Sequence, residues 1–270
     1  RDSVMAEIPD FPPGTKREDA IDELISDSDL KEVVLKQFNY MRIKGINLVQ
    51  DADDLVNLYL GICKKFEVLG FDIDKNRINQ LKKGEDINNE FSFSELSPLS
   101  IIYTSDLNKI KSCNIFIITV PTPVSRDNTP DLSVLFTTTR MISSCLKKQD
   151  IVIYESTVYP GVTEEECVPI LEENSKLIYN KDFFCGYSPE RISPGRNQKN
   201  ISEIVKLTSG SNAKVATLID KLYQSVVKAG TYKTSSIRIA EVAKLVENTQ
   251  RDVNIALVNE LAMMFDMMDI

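Results

Sequence analysis

Residues 113–123, CNIFIITVPTP, and residues 150–157, DIVIYEST, decide the fold of this chain. Each holds four consecutive apolar residues and then breaks into a polar or proline-rich turn. A strand that is apolar at every position has both faces covered, which marks a parallel sheet between layers of helix. The flanking sequence repeats the alternation. Residues 66–72 (FEVLGFD), 101–106 (IIYTSD), 182–190 (DFFCGYSPE) and 203–210 (EIVKLTSG) read as further strands. Helices are predicted near residues 75–83, 132–147, 161–173 and 212–227. The pattern predicts an α/β, doubly wound parallel sheet over residues 58–234.

The two ends read differently. Residues 235–270 contain no Gly or Pro and predict one long helix, the start of a second, helical domain. That helix is apolar around much of its circumference and is predicted to be buried. It has no stop signal at Ile270, and the chain begins with Arg1 rather than Met, so the sequence is expected to be a fragment. Residues 1–57 hold 7 basic and 13 acidic side chains and form a divergent segment. Thr15 and Glu18 have capping-box spacing, and Leu30, Val33, Val34, Phe38 and Met41 fall at helical spacing. Two amphipathic helices are predicted there, either an oligomerisation arm or foreign sequence. If native, the segment is expected to pack on a sheet edge left open by an altered first βα unit.

Composition narrows the function. The net charge of −8 argues against a nucleic-acid partner. No apolar run reaches the roughly 18 residues needed to span a bilayer. The first ten residues lack the apolar segment of a signal peptide. A cytoplasmic protein without a membrane partner is expected. The five cysteines are widely spaced and include no C-x-x-C, so neither a disulfide framework nor a metal site is expected. Histidine is absent, which leaves Glu, Asp, Lys or water for acid–base chemistry.

Four places in the sequence carry chemistry. Asp72 lies just past a strand, where an acid accepts hydrogen bonds from the adenosine ribose of a dinucleotide. Capping of the next helix is the alternative for that acid. Val120, Pro121 and Thr122 end the strand of residues 115–120 at the carboxyl edge, where dinucleotides bind; a plain proline-rich turn is the alternative. Thr157 follows a buried strand just before a turn, and Glu190 sits in a loop shaped by Pro189, Pro194 and Gly195. Lys244 and Asn248 are four apart on the long helix and share a face. An alcohol losing hydride develops negative charge on oxygen, which a fixed Lys and amide stabilise. A structural role for the pair is the alternative.

Five motifs then carry a resemblance: GFDIDKNRI (70–78), VPTPVSRDNTPDLS (120–133), ESTVYPG (155–161), GYSPERISPG (186–195) and AEVAKLVENTQRDVNIALVNELA (240–262). In that order they resemble the UDP-glucose/GDP-mannose dehydrogenase family, most closely its UDP-N-acetylhexosamine 6-dehydrogenase branch. The similarity covers roughly residues 64–270. It implies a Rossmann-like domain and an NAD-dependent oxidation of a sugar C6 alcohol to the uronic acid, in polysaccharide precursor synthesis. By motif, Thr157 would position water, Glu190 would assist proton transfer and thioester hydrolysis, and Lys244 and Asn248 would hold the C6 oxygen. Asp72 and Thr122 would contact NAD, with Val120, Pro121 and Glu155 nearby. A UDP-sugar substrate and a homodimer through residues 235–270 are the implied partners.

The chain departs from that pattern twice. Counting back from residues 64–68, the glycine-rich phosphate loop should fall near residues 50–55, where the sequence reads QDADDL. Three carboxylates in place of glycines would repel a pyrophosphate, each by about 1 kcal/mol in a wet site. The family's catalytic thiol lies in a GGHC-containing segment that the sequence does not include. Two readings therefore stand: part of an active dehydrogenase, or a truncated or degenerate non-catalytic copy that keeps the fold and dimerises. A 3-hydroxyacid dehydrogenase-like oxidoreductase is a third, against which the SPER loop at residues 188–191 argues.

Overall fold

A computed structural model describes residues 62, 65–84, 101–189 and 204–270, with the backbone alone of residues 42–44. All of them fall in one compact unit, Met41–Ile270. Eight strands form one sheet in the order β3-β2-β1-β4-β5-β6-β7-β8. They are β1 (Arg42–Lys44), β2 (Glu67–Phe71), β3 (Ile101–Thr104), β4 (Ile115–Ile118), β5 (Ile151–Tyr154), β6 (Phe184–Tyr187), β7 (Lys206–Gly210) and β8 (Thr231–Lys233). The first six run parallel, with Ile115 beside Ile151 and Ile151 beside Phe184. Strand β7 turns antiparallel to β6, and β8 runs parallel to β7. The order reverses between β1 and β4, so a crevice opens at their carboxyl ends, the place where doubly wound sheets bind ligands.

The residues themselves set the helices. Asp74 caps α1 (Lys75–Lys82) by accepting from the Asn76 N–H at 2.8 Å, and Asp106 caps α2 (Leu107–Ile110) from Asn108 at 2.9 Å. Helix α3 (Ser133–Ser143) follows the Asp131 turn. A π-helical turn, Val162–Cys167, leads into α4 (Val168–Ser175). Pro169 has no N–H to give the Glu165 carbonyl, and the preceding Val168 N–H reaches one residue further back, to Thr163. Asn212 caps α5 (Ala213–Gln224), and Ser236 caps α6 (Ile237–Met267). Phe116, Val152, Tyr154, Phe183, Tyr187 and Ile237 belong to one core and are almost fully buried. Each such side chain contributes about 1.5–3 kcal/mol of apolar burial.

Two expectations are corrected. Residues 42–44 are a strand at the middle of the sheet, within a stretch read as a helical segment for the sheet edge. Two of its three residues are charged, so no apolar run announces it; pairing with β2 and β4 makes the strand. The other expectations for residues 1–41, and the site near residues 50–55, lie outside the described residues.

Helix α6 is the second correction. Only Ile237, Ala240, Glu241 and Lys244 are buried, and every residue from Asp252 onward is exposed. The first two turns pack on β6, β7 and the π-helical turn. The helix then runs past the sheet, so its apolar character does not translate into burial within this chain.

Candidate active site at the carboxyl edge of the sheet

Three loops leave the carboxyl ends of β4, β5 and β6 and are tied to one another. The Ser156 hydroxyl donates to the Val120 carbonyl at 2.6 Å, and the Thr122 hydroxyl donates to the Thr157 carbonyl at 2.6 Å. The Ser188 N–H continues the ladder to Tyr154 at 2.9 Å. Thr157 itself is exposed, its side chain available at the rim, while Val158 beside it is buried. Thr122 and Thr157, named from separate motifs, are thus joined directly. Val120 is buried beneath them, and Pro121 is exposed at the turn.

Asp72 is half-buried past the end of β2. Its Oδ1 accepts the Asp74 N–H at 2.8 Å, and it is Asp74 that caps α1. The alternative of a simple helix cap therefore belongs to Asp74. Among the described residues, the second carboxylate oxygen of Asp72 accepts no hydrogen bond, which suits a group that takes ribose hydroxyls.

Glu155 lies deeper than its motif suggests. It is 3% exposed, and its carboxylate takes the Tyr223 hydroxyl and the Lys206 ammonium, the latter at 3.4 Å. Lys206 also donates to the carbonyls of Ser188 at 3.3 Å and Pro189 at 3.5 Å, and stands 5.1 Å from the centre of the Tyr223 ring. This buried group links β5, β7, α5 and the entry to the loop after β6. Glu190, the next residue, lies outside the described residues.

Helix α6 packs against the π-helical turn that follows β5. Lys244 is 5% exposed and Asn248 half-buried, one turn apart on the same helix. One turn before Lys244, the buried Glu241 carboxylate accepts the N–H of Gly161 at 2.7 Å and of Thr163 at 3.0 Å. Gly161 has φ 104°, a conformation that favours glycine. Burial pushes the Tyr187 phenol up, and the Glu241 charge nearby pushes it the same way. Sequence reasoning missed Glu241, Lys206 and Tyr223. The available signal was a charged residue inside an apolar pattern, which must find a partner: Lys206 within a strand, Glu241 one turn from Lys244.

None of the described cysteines is suited to attack a carbonyl. Cys113, Cys145, Cys167 and Cys185 are all buried, and desolvation pushes the Cys167 thiol up to about 12. A thiol so held is protonated at neutral pH and a poor nucleophile. Among the described residues, no cluster of acidic, Cys or His side chains is placed to hold a metal ion. No helix among them is long and apolar enough to cross a membrane.

Comparison with known proteins agrees with the fold. Residues 57–227 match the UDP-glucose/GDP-mannose dehydrogenase family, NAD binding domain, and residues 238–270 match the central domain of the same family. A UDP-N-acetyl-D-glucosamine 6-dehydrogenase from Salmonella typhi is 52% identical over 208 residues, 77% of this chain and 49% of the relative. Protein CapL from Staphylococcus aureus is 50% identical over 206 residues, 76% of this chain and 49% of the relative. Among solved structures, a UDP-D-ManNAc dehydrogenase from Pyrococcus horikoshii superposes with TM-score 0.73 at 35% identity, covering 83% of this chain and 54% of that one. The chain spans about half the length of the curated relatives it matches.

Proposed function

The chain belongs to the UDP-glucose/GDP-mannose dehydrogenase family, and we propose that it supplies the cofactor-binding part and the alcohol-oxidising residues of a UDP-N-acetylhexosamine 6-dehydrogenase. One observation carries the reading: the loops after β4 and β5 and the first turns of α6 meet at the sheet's carboxyl edge, tied by Thr122–Thr157 and by Glu241–Gly161/Thr163. The 52% identity to a UDP-N-acetyl-D-glucosamine 6-dehydrogenase supports the hexosamine branch. A UDP-N-acetylhexosamine as substrate, a cytoplasmic location and a homodimer through α6 belong to the same proposal.

The residues fit NAD at the described half of the crevice. Asp72 offers a carboxylate oxygen beyond β2, and Thr122, Val120 and Pro121 shape the edge of β4, with Glu155 holding the floor from below. NAD when bound accepts the hydride from C6. Lys244 and Asn248 are proposed to hold the C6 oxygen and to stabilise its charge as the C–H bond breaks, the proton passing to water or a side chain and the alcohol becoming an aldehyde. Thr157, at the rim, is proposed to hold a water. Glu190 is proposed to move a proton in the later hydrolysis, a step that also needs the family's thiol.

The test is calorimetric titration of the purified chain with NAD. Saturable binding that weakens tenfold or more in Asp72→Ala is expected, since a hydrogen bond to a charged group contributes about 1.5–3 kcal/mol. No detectable binding by a protein folded by circular dichroism would overturn the reading in favour of a non-catalytic copy.

A further inference from the structure

Glu241 is the most completely buried acid of helix α6, and its two oxygens are both engaged by backbone amides of another element. Gly161 and Thr163 open the π-helical turn, so the carboxylate sits at a helix N-terminus, where negative charge is favoured. Both contacts, at 2.7 and 3.0 Å, are charge-assisted. Four residues before Gly161 stands Thr157, whose carbonyl is in turn held by Thr122. On the helix, Glu241 precedes Lys244 by three residues and Asn248 by seven, so all three share one face. One buried carboxylate therefore joins the segment that carries Thr157 to the face that carries Lys244 and Asn248. On the exposed side, Arg238 pairs with Glu165 and ties the same two elements again.

We propose that Glu241 is a positioning residue for the dehydrogenation, fixing the distance between the Thr157 turn and the Lys244–Asn248 face. It touches neither substrate nor cofactor. It rests on the dehydrogenase reading above in one respect: that Thr157, Lys244 and Asn248 act on the same substrate. A rise of about 1.5 Å per helical residue means that a small slide of α6 would carry Lys244 out of register with the turn. A carboxylate that accepts from two N–H groups at once restrains the slide more tightly than either contact alone.

The experiment compares wild type with Glu241→Gln and Glu241→Asp by amide hydrogen exchange and by steady-state NAD reduction with UDP-N-acetylglucosamine. Glutamine keeps the size but turns an NH2 toward one of the two amides. Aspartate keeps the charge but is one methylene too short for both. The expected result is exchange at least tenfold faster in peptides covering residues 157–163, with β4 and β5 unchanged. With it, kcat falls tenfold or more while the KM for NAD stays within twofold. Unchanged exchange at residues 157–163 would overturn the proposal. So would exchange that rises equally across the sheet, which marks a residue of general stability, or an unchanged kcat beside a loosened turn. A wild type that binds NAD but does not turn over sinks the dehydrogenase reading of this chain; the exchange comparison then decides the clamp by itself.

Discussion

Lys206 and Glu155 show how much a single buried charge depends on its partner. Lys206 is 4% exposed inside a strand, and removing it would take from the buried Glu155 carboxylate the positive charge of its ion pair. Lys206→Met is expected to cost about 3–5 kcal/mol in urea unfolding, as for other broken buried pairs, and the Glu155→Gln/Lys206→Met double variant to recover much of that. A single-variant loss below about 1 kcal/mol would mean the pair does not hold in solution. Asp150 makes a prediction about pH. It precedes β5 almost fully buried, and burial pushes its carboxyl from 3.8 up to about 6, against the opposing Lys147 amide and ammonium. An acid whose folded value is raised holds its proton longer in the native state. The unfolded state therefore binds fewer protons between about pH 4 and 6, and this contribution to stability falls as pH rises through that window. Asp150→Asn is expected to flatten the slope of unfolding free energy over that range. An unaltered slope would place the titration elsewhere.

At the scale of elements, close approach decides more than propensity. Strand β7 ends at Gly210, where an added Cβ would lie 2.4 Å from the Ala216 backbone nitrogen of α5. Backbone cannot move aside as a flexible side chain can. Gly210→Ala is therefore expected to cost about 1–3 kcal/mol, as overpacking does, measured by thermal or urea unfolding against wild type. A loss under about 0.5 kcal/mol would show that α5 gives way. The same strand carries Lys206 at its start, and α5 carries Tyr223, so the packing of β7 on α5 also builds the support beneath the loop after β6. The π-helical turn has a comparable role: Pro169 alters the hydrogen-bond register, and the N-terminus of that turn faces Glu241.

For the whole molecule, α6 is the unfinished part. Val253, Leu257, Val258, Met263, Met264 and Phe265 are all exposed on it. Single exposed apolar residues are ordinary, but a row along one helix is not. With a second copy as the proposed occupant, sedimentation is expected to show a dimer, and Leu257→Glu/Val258→Glu to shift it to monomer at the same concentration. A monomeric wild type would remove the homodimer from the proposed function. Asp72, Thr122 and Thr157 follow the carboxyl ends of β2, β4 and β5, and α6 meets the segment after β5 through Glu241.

Unbroken apolar runs at residues 115–118 and 151–154 were sufficient for a covered parallel sheet, because only a strand buried on both faces tolerates such a run. Long motifs were sufficient for the family, and helical spacing placed Lys244 and Asn248 on one face. What the sequence could not reveal depends on contacts between distant residues. Strand β1 is short and charged and exists through its neighbours. Helix α6 is apolar yet exposed, because burial depends on what lies opposite and not on composition. Glu241 meets Gly161 across 80 positions and Glu155 meets Lys206 across 51, separations at which local pattern carries no information. The sequence determined the class of fold and the family; the tertiary structure alone decided which charges lie in the interior and which groups they hold in place.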